Sequence, residues 1–149
     1  MRRAHSADVP VLLELMEEFY SEAGYTLDRA HAAEAFHALL TDERLGAAWI
    51  LEDAGAPAGH AVVTFRFGME YGGLIACVDD LFVRPAARNR GLARAALLEI
   101  RDWCAAGGIR ALSVEAGTGN APAQAVYRRA GFQIAPDRAL LYLELAAPT

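Results

Sequence analysis

The most informative part of the chain is the stretch Leu81-Phe82-Val83-Arg84-Pro85-Ala86-Ala87-Arg88-Asn89-Arg90-Gly91-Leu92-Ala93-Arg94. A run of strand-forming residues meets Pro85, passes through a short arginine-rich loop and enters an apolar helical pattern. Such a junction directs backbone N–H groups and the positive end of a helix dipole at one point, which suits a phosphate. The guanidinium groups of Arg88, Arg90 and Arg94 can add charged donors there. The stretch therefore predicts a phosphate site between a strand and a helix.

Length and composition indicate a globular protein. The chain has 149 residues, of which 54% are hydrophobic, so we expect one domain over residues 1–149. No apolar run approaches the roughly 20 residues that span a bilayer. The first residues lack the apolar core of a signal peptide, so the expected location is the cytoplasm.

Charge is divided unevenly along the chain. Residues 1–80 carry 5 Arg and 14 Asp or Glu, a net charge of −9, whereas residues 81–149 carry 9 Arg and 5 Asp or Glu, a net charge of +4. The sequence contains no lysine. This division indicates an anionic ligand on one side and a cationic one on the other, although charges on solvated faces give the same pattern. The overall charge of −5 argues against nucleic acid as a partner.

Neither cysteines nor histidines form a metal-ligand pattern. Cys77 and Cys104 lack CxxC spacing and are typical of buried hydrophobic positions. His31 and His37 are six residues apart, which does not place them on one helix face. We therefore expect no metal, and neither cysteine has a neighbour that would activate it as a nucleophile.

Hydrophobic periodicity predicts an α/β (α+β) fold. An antiparallel meander is followed by a parallel pair, which gives a mixed central sheet of about six to seven strands with four helices on both faces. The predicted helices lie from Asp8 to Gly24, over 28–40, from the central loop to Gly107, and over 120–130. The predicted strands cover residues 2–4, 48–52, 59–67, 74–83, 111–114, 132–134 and 140–145.

The loop itself excludes two common phosphate motifs. A Walker-type loop ends in Gly-Lys-Ser/Thr, and this chain has no lysine. The dinucleotide-binding pattern G-x-G-x-x-G in a first βαβ unit is absent as well.

Two motifs resemble those of the GNAT superfamily of acyl-CoA-dependent N-acetyltransferases. The pyrophosphate loop of that family reads Q/R-x-x-G-x-G/A, and Arg88, Gly91 and Ala93 match its fixed positions. Farther on, Asn120-Ala121-Pro122-Ala123-Gln124-Ala125-Val126-Tyr127-Arg128-Arg129-Ala130-Gly131-Phe132 is similar to the second signature, N-x-x-A-x-x-x-Y-x-x-x-G-F. Asn89 replaces a commoner glycine, and asparagine tolerates the left-handed conformation better than most residues. The resemblance covers essentially the whole chain.

The resemblance implies acetyl-CoA as cofactor, held in a gap where the central strand splays from its parallel neighbour. The implied cofactor-binding residues are Leu81, Phe82, Val83, Arg88, Asn89, Arg90, Gly91, Leu92, Ala93, Arg94, Asn120, Ala123 and Tyr127. Main-chain groups of the strand would meet the pantetheine, and loop N–H groups would meet the pyrophosphate. Asn120 is also expected to cap its helix.

Three residues are candidates for catalysis. Tyr127 matches the family tyrosine that protonates the departing thiolate, although a helical core tyrosine explains it as well. Asp79 and Asp80 end the apolar run before the central stretch, where some relatives carry an acidic base. Strand alternation should point the two carboxylates to opposite faces, and Asp79 is the preferred candidate. A salt bridge or solvation at the strand end is the alternative for both.

The resemblance therefore implies an N-acetyltransferase that moves an acetyl group from acetyl-CoA to an amine by direct attack in a ternary complex. The acidic first half favours a small cationic amine, with Asp79, Glu115, Phe19 and Tyr25 as candidate substrate contacts. A non-catalytic acyl-CoA sensor, an acetyltransferase acting on proteins or peptides, and an interaction domain are alternatives. Neither nucleic acid nor a membrane is an expected partner, and a homodimer is consistent with the family.

Overall fold

The computed structural model describes residues 1–145. Its strands form one sheet in the order β1-β2-β3-β4-β5, in which only β4 and β5 are parallel neighbours. The strands are β1 (Arg2–Arg3), β2 (Gly46–Asp53), β3 (Ala56–Gly68), β4 (Gly73–Val83) and β5 (Leu112–Val114). The helices are α1 (Val9–Glu22), α2 (Arg29–Thr41), α3 (Leu92–Ala106) and α4 (Ala121–Arg129), and short 3-10 turns cover Ser6–Asp8 and Pro85–Ala87.

The helices cover both faces of the sheet because each has one apolar stripe. Helices α1 and α2 pack on the face that carries Ala48, Ile50 and Val62. Helix α3 packs on the opposite face, against Trp49 and Val63. The residues that α1, α2 and α3 bury are Val9, Leu12, Leu13, Leu15, Ala32, Phe36, Ala96, Leu97, Ile100 and Cys104. This layering confirms the predicted α/β class and the four helices.

The predicted count of six to seven strands is wrong for the described residues. Residues 132–134 and 140–145 are not strands, and β5 forms one edge of a sheet of five strands. Alternating apolar residues give a strand pattern, but a strand forms only where a neighbouring strand accepts its hydrogen bonds. Among residues 1–145 no strand pairs with either segment.

An extra residue in β4 changes the side-chain pattern of the central strand. Val62 pairs with Asp80, but the next residue of β3, Val63, pairs with Val78, so Asp79 is inserted between two regular pairs. Such a bulge shifts the alternation of the strand by one residue and redirects the side chains beside it. The bulge therefore lies at the two carboxylates that the sequence singled out.

Strands β4 and β5 pair over only part of the length of β4. Their parallel register runs from Ala76 beside Leu112 to Val78 beside Val114, and β5 ends there. Strand β4 continues to Val83 with no strand of residues 1–145 on that side. This confirms the predicted parallel pair and leaves an open strand edge over residues 79–83.

The central strand requires a glycine in the strand beside it. A Cβ on Gly59 would lie 2.1 Å from the carbonyl oxygen of Phe82, a main-chain atom held in the β3–β4 ladder. The close approach of two backbones explains why glycine occupies this position.

No helix within residues 1–145 has the length and apolar character needed to cross a membrane.

The substitution Gly59→Ala should destabilise the protein by roughly 3 kcal/mol, because the new methyl group must push β3 away from β4. The matched control is Gly119→Ala, whose Cβ would meet no atom within 4 Å. Chemical denaturation of both variants measures the difference. Equal stabilities would show that the sheet tolerates the displacement.

Candidate active site

A cavity of about 160 Å³ lies between helices α1 and α2 and the sheet. Met16, Ala32, Ala35, Phe36 and Leu39 supply apolar walls. The sheet side is lined by Val62, Thr64, Asp79 and Asp80. The cavity is therefore apolar along the helices and carries two carboxylates where it meets the bulge.

Asp79 and Asp80 both line this cavity, so the expectation that they face opposite sides is wrong. Strict alternation would separate adjacent side chains, but the bulge places an unpaired residue directly before Asp80. The sequence gives no sign of a bulge, since it arises from the register between β3 and β4. The result is a pair of neighbouring negative charges at one site.

The carboxylates interact with further titratable groups that the fold brings close. Partial burial, then the charges of Asp80 and Glu115, raise the pKa of Asp79. Burial and the charges of Asp80 and Asp79 also raise the pKa of Tyr20 on α1. The structure therefore brings the predicted substrate contact Glu115 near Asp79, and it adds Tyr20 of α1, which the sequence analysis did not name as a site residue.

Tyr127 on α4 lies in the same electrostatic neighbourhood. Burial raises the pKa of its phenol, and nearby Asp80 and Cys77 raise it further. The ring packs edge-on against Phe132, with the centroids 5.8 Å apart. A phenol with a raised pKa remains a proton donor throughout the neutral range, as a general acid for a thiolate must.

His60 is a buried polar residue behind Asp80 that the sequence analysis missed. It is 0% exposed, and neither ring nitrogen has a hydrogen-bond partner within residues 1–145. Its Nε2 lies 3.6 Å from Oδ2 of Asp80, beyond normal hydrogen-bond distance. Phe19 and Phe82 flank the imidazole, with centroids 6.2 and 6.0 Å away. A histidine within the otherwise apolar run of residues 58–63 was the available signal.

The loop between β4 and α3 presents a row of free donors. Asn89 and Gly91 both have positive φ, 60° and 79°, which confirms that asparagine supplies a left-handed residue at this position. Within residues 1–145 no acceptor takes the backbone N–H groups of residues 89–94. Successive N–H groups at a helix start form a concave anion site. These N–H groups, including those of Leu92 and Ala93 in the first turn of α3, lie where the sequence predicts a phosphate site, and phosphate binding by this loop stays a prediction.

Two of the three loop arginines are already paired. Arg88 donates from Nη2 to Glu22 at 2.6 Å and from Nε to the carbonyl of Val83 at 2.8 Å. Arg90 pairs with Asp53. Arg94 makes no ion pair or side-chain hydrogen bond within residues 1–145 and is exposed. The structure therefore leaves Arg94 and the backbone as the donors directly available to a phosphate.

Asn120 caps α4 as predicted. Its side-chain oxygen accepts the N–H of Ala123 at 3.2 Å, which occupies one of the free donors at the start of the helix.

The remaining predicted contacts occupy different environments. Phe82 is 4% exposed and stacks on Phe19 at 5.5 Å, so both rings belong to an aromatic cluster beneath α1. Leu81 packs on the opposite core, and only the main chain of this part of β4 faces the open edge. Tyr25 is 69% exposed and does not line the cavity.

Within residues 1–145 no cluster of three or more His, Cys, Asp or Glu could hold a metal ion.

Comparison with known proteins identifies the family of the chain. The model of the acetyltransferase (GNAT) family matches residues 10–132. The chain therefore belongs to the GNAT acetyltransferase family, which makes it an acyl-CoA-dependent acetyltransferase with acetyl-CoA as its acyl donor. Among curated proteins, none matches the chain significantly.

Solved structures share the fold over nearly the whole chain. An integron cassette protein from the mobile metagenome of Cole Harbour Salt Marsh is 47% identical, with a TM-score of 0.90 over 99% of this chain and 91% of that one. A predicted acetyltransferase with acetyl-CoA from Clostridium acetobutylicum is 19% identical, with a TM-score of 0.78 over 95% and 94%. An aminoglycoside antibiotic 6'-N-acetyltransferase from Acinetobacter haemolyticus is 18% identical, with a TM-score of 0.76 over 98% and 97%.

The substitution Asp79→Asn should make the folded protein more stable near neutral pH. The pKa of Asp79 is higher in the folded than in the unfolded chain, so its charged form weakens folding at a pH above the unfolded value of about 3.9. The gain should be absent below about pH 4, because Asp79 is protonated in both states there, and it should grow between that pH and neutrality. Denaturant titration across this range, with Asp102→Asn on α3 as the control, measures it. A gain that is equal at both ends would contradict the raised pKa.

Proposed function

We propose that the protein transfers an acetyl group from acetyl-CoA to a small cationic primary amine. The observation that carries the proposal is the pair Asp79 and Asp80 on one cavity wall, beside Tyr127 and the open edge of β4. Two carboxylates favour a cation, and the open edge offers main-chain donors to a thioester-bearing arm.

The donor site follows from three features of the chain. The free N–H groups of residues 89–94 would hold the pyrophosphate, and exposed Arg94 would add a charged contact. The main chain of β4 over residues 79–83 would pair with the pantetheine, where no other strand of residues 1–145 competes. When bound, acetyl-CoA supplies the acetyl group as a reactive thioester.

The acceptor must lose a proton before its nitrogen can attack. Asp79, whose pKa is raised, is the better of the two carboxylates for accepting that proton, directly or through water, while Asp80 binds the cation. The amine nitrogen forms a bond to the acetyl carbon while the carbon–sulfur bond breaks, and the departing sulfur takes the proton of Tyr127. The nitrogen releases its second proton to water, and water returns a proton to the phenolate of Tyr127, so that one ammonium and one thioester give one amide, one thiol and one proton.

The cysteines favour direct transfer over an acyl-enzyme intermediate. Burial raises the pKa of Cys77, and nearby Asp79 and Glu115 raise it further. Burial also raises the pKa of Cys104. A thiol with a raised pKa contains little thiolate at neutral pH and is a poor nucleophile. We therefore propose a ternary complex in which both substrates are bound before transfer.

The size and lining of the cavity limit the acceptor. A cavity of about 160 Å³ resembles in volume the engineered cavities of about 150 Å³ that admit benzene. Five side chains from the helices make its walls apolar. We therefore expect an amine that places one small ring or a short aliphatic body against these apolar walls.

The proposal extends to the chain as a whole. We propose that it works as one domain, in which α4 carries Tyr127 and α1 and α2 carry the acceptor walls. The free cysteines Cys77 and Cys104 are consistent with a reducing compartment such as the cytoplasm.

The substitution Tyr127→Phe should reduce kcat about 100-fold or more, because it removes the proton donor for the thiolate. Binding of coenzyme A, measured by calorimetry, should change less than about twofold, because the ring remains. Tyr71→Phe, a surface tyrosine that is 44% exposed, is the matched control and should retain full activity. Coenzyme A binding without turnover of any amine by the wild-type protein would instead favour a sensor of acyl-CoA.

The substitution Asp80→Asn should raise KM for cationic amines about tenfold or more, because it removes a charge from the acceptor site. Asp102→Asn on α3, which packs on the other sheet face, is the control and should not change KM. The panel should contain benzylamine, phenethylamine, short alkylamines, spermidine, an aminoglycoside, and neutral and acidic amines. Turnover confined to neutral or acidic amines, or to peptides, would refute the proposed acceptor.

A further inference from the structure

A second cavity, of about 410 Å³, lies at the edge of the sheet formed by β1 and β2, opposite the β5 edge. It is bounded by the start of β2, the end of α2 and the side of α3. Of its lining residues within 1–145, Leu39 alone also lines the cavity beside Asp79 and Asp80, so the two cavities are neighbours with different walls. The volume is in the range of small-molecule sites. The larger side chains that line it are Arg3, His5, Leu39, Leu40, Glu43 and Trp103.

Two indole rings hold the guanidinium of Arg3 at this cavity. Arg3 pairs with Trp49 across the β1–β2 ladder. Its Cζ lies 5.0 Å from the ring centroid of Trp49 and 4.8 Å from that of Trp103. Trp103 in turn stacks on Phe65, with the centroids 5.8 Å apart. Cation–π contacts of this kind fix the position of a guanidinium without supplying an oxygen acceptor for its N–H donors.

The guanidinium of Arg3 has no anionic partner in the described part of the chain. Within residues 1–145 it makes no ion pair and no side-chain hydrogen bond, whereas the adjacent Arg2 pairs with Asp8 and Glu52. Burial lowers the pKa of Arg3, and the charge of Glu43 acts in the opposite direction. A positioned, half-buried guanidinium with free N–H donors is suited to bidentate binding of a carboxylate.

The other walls restrict the rest of such a ligand. Leu39 and Leu40 contribute aliphatic side chains, and Trp103 is 36% exposed. Glu43 adds one negative charge to the lining, which would repel a second carboxylate on the ligand. The cavity therefore fits an anion of single charge with an apolar body.

We propose that this cavity is a second binding site, which takes a small monocarboxylate. The carboxylate pairs with Arg3, and the apolar body of the ligand lies against Leu39, Leu40 and Trp103. The cavity beside Asp79 and Asp80 does not compete for this ligand, because its two carboxylates repel an anion. The proposal does not depend on which amine the enzyme acetylates, since binding alone tests it.

Tryptophan fluorescence tests the proposal on the full chain. The chain has two tryptophans, Trp49 and Trp103, and both contact Arg3, so the emission reports on this cavity. Cyclohexanecarboxylate, which does not absorb at the excitation wavelength, should produce a saturable change with a Kd of about 1 mM or below. Cyclohexanecarboxamide has the same body without the charge and should bind about tenfold more weakly or worse.

Two substitutions should change the affinity for cyclohexanecarboxylate in opposite directions, as measured by calorimetry. Arg3→Met removes the guanidinium and should weaken binding about tenfold or more. Glu43→Arg replaces an exposed negative charge of the lining by a positive one and should strengthen binding about fivefold. The matched control is Glu34→Arg, the same charge change at an exposed position of α2 outside the lining, which should leave the Kd unchanged. The two glutamate variants test the site even if Arg3→Met fails to fold.

Four results would overturn the proposal. The first is the lack of a saturable change with cyclohexanecarboxylate up to about 20 mM. The second is equal binding of the acid and the amide, which would assign recognition to the apolar walls alone. The third is unchanged affinity in an Arg3→Met variant with a wild-type circular dichroism spectrum. The fourth is an equal effect of Glu43→Arg and Glu34→Arg, which would indicate attraction by the overall charge of the protein.

Discussion

The extra residue at Asp79 in β4 is the constraint on which the site depends. Without this extra residue, Val62 and Val63 would pair with consecutive residues of β4. Strict alternation would then point one of the two carboxylates into the core beneath α3. A buried, unpaired carboxylate there would be costly, so the bulge and the adjacent acidic residues depend on each other. The parallel partner of this strand, β5, ends beside Val78. The two carboxylates therefore lie next to the part of β4 whose main chain has no strand partner on that side within residues 1–145.

Ion pairs between distant segments hold the two halves of the site in position. Glu18 on α1 accepts a bidentate contact from Arg84 at 2.7 and 2.9 Å, and one turn later Glu22 accepts Arg88. These contacts tie α1, which lines the cavity, to the loop that would hold the phosphates. Two glutamates of α1 thus connect the proposed donor site with the proposed acceptor site.

Local sequence patterns predicted the helices and most of the strands. The strand pairing and the geometry of the site depend on contacts between distant segments. The loop could be predicted from Pro85, Asn89 and Gly91, because the conformational preferences of these residues act within a few positions of the chain. The position of Asp79 and the burial of His60 depend on the register between β3 and β4, to which no local pattern is sensitive. Residues 132–134 and 140–145 show the converse, since their alternation is typical of strands while no described strand pairs with them. The roles of Tyr127, Asp79 and Asp80 in catalysis remain predictions that the structure supports by proximity.

The exclusive use of arginine has a chemical consequence for a protein that handles thioesters. The chain has 14 arginines and no lysine, and several of these arginines pair with carboxylates around the site. A guanidinium remains charged at any physiological pH, whereas a lysine ammonium releases a nucleophilic amine when its proton is lost. The side chains of this enzyme therefore offer no primary amine to its own acyl donor. The positive charge of these side chains comes without a competing side-chain acceptor, and the protein cannot acylate itself at lysine.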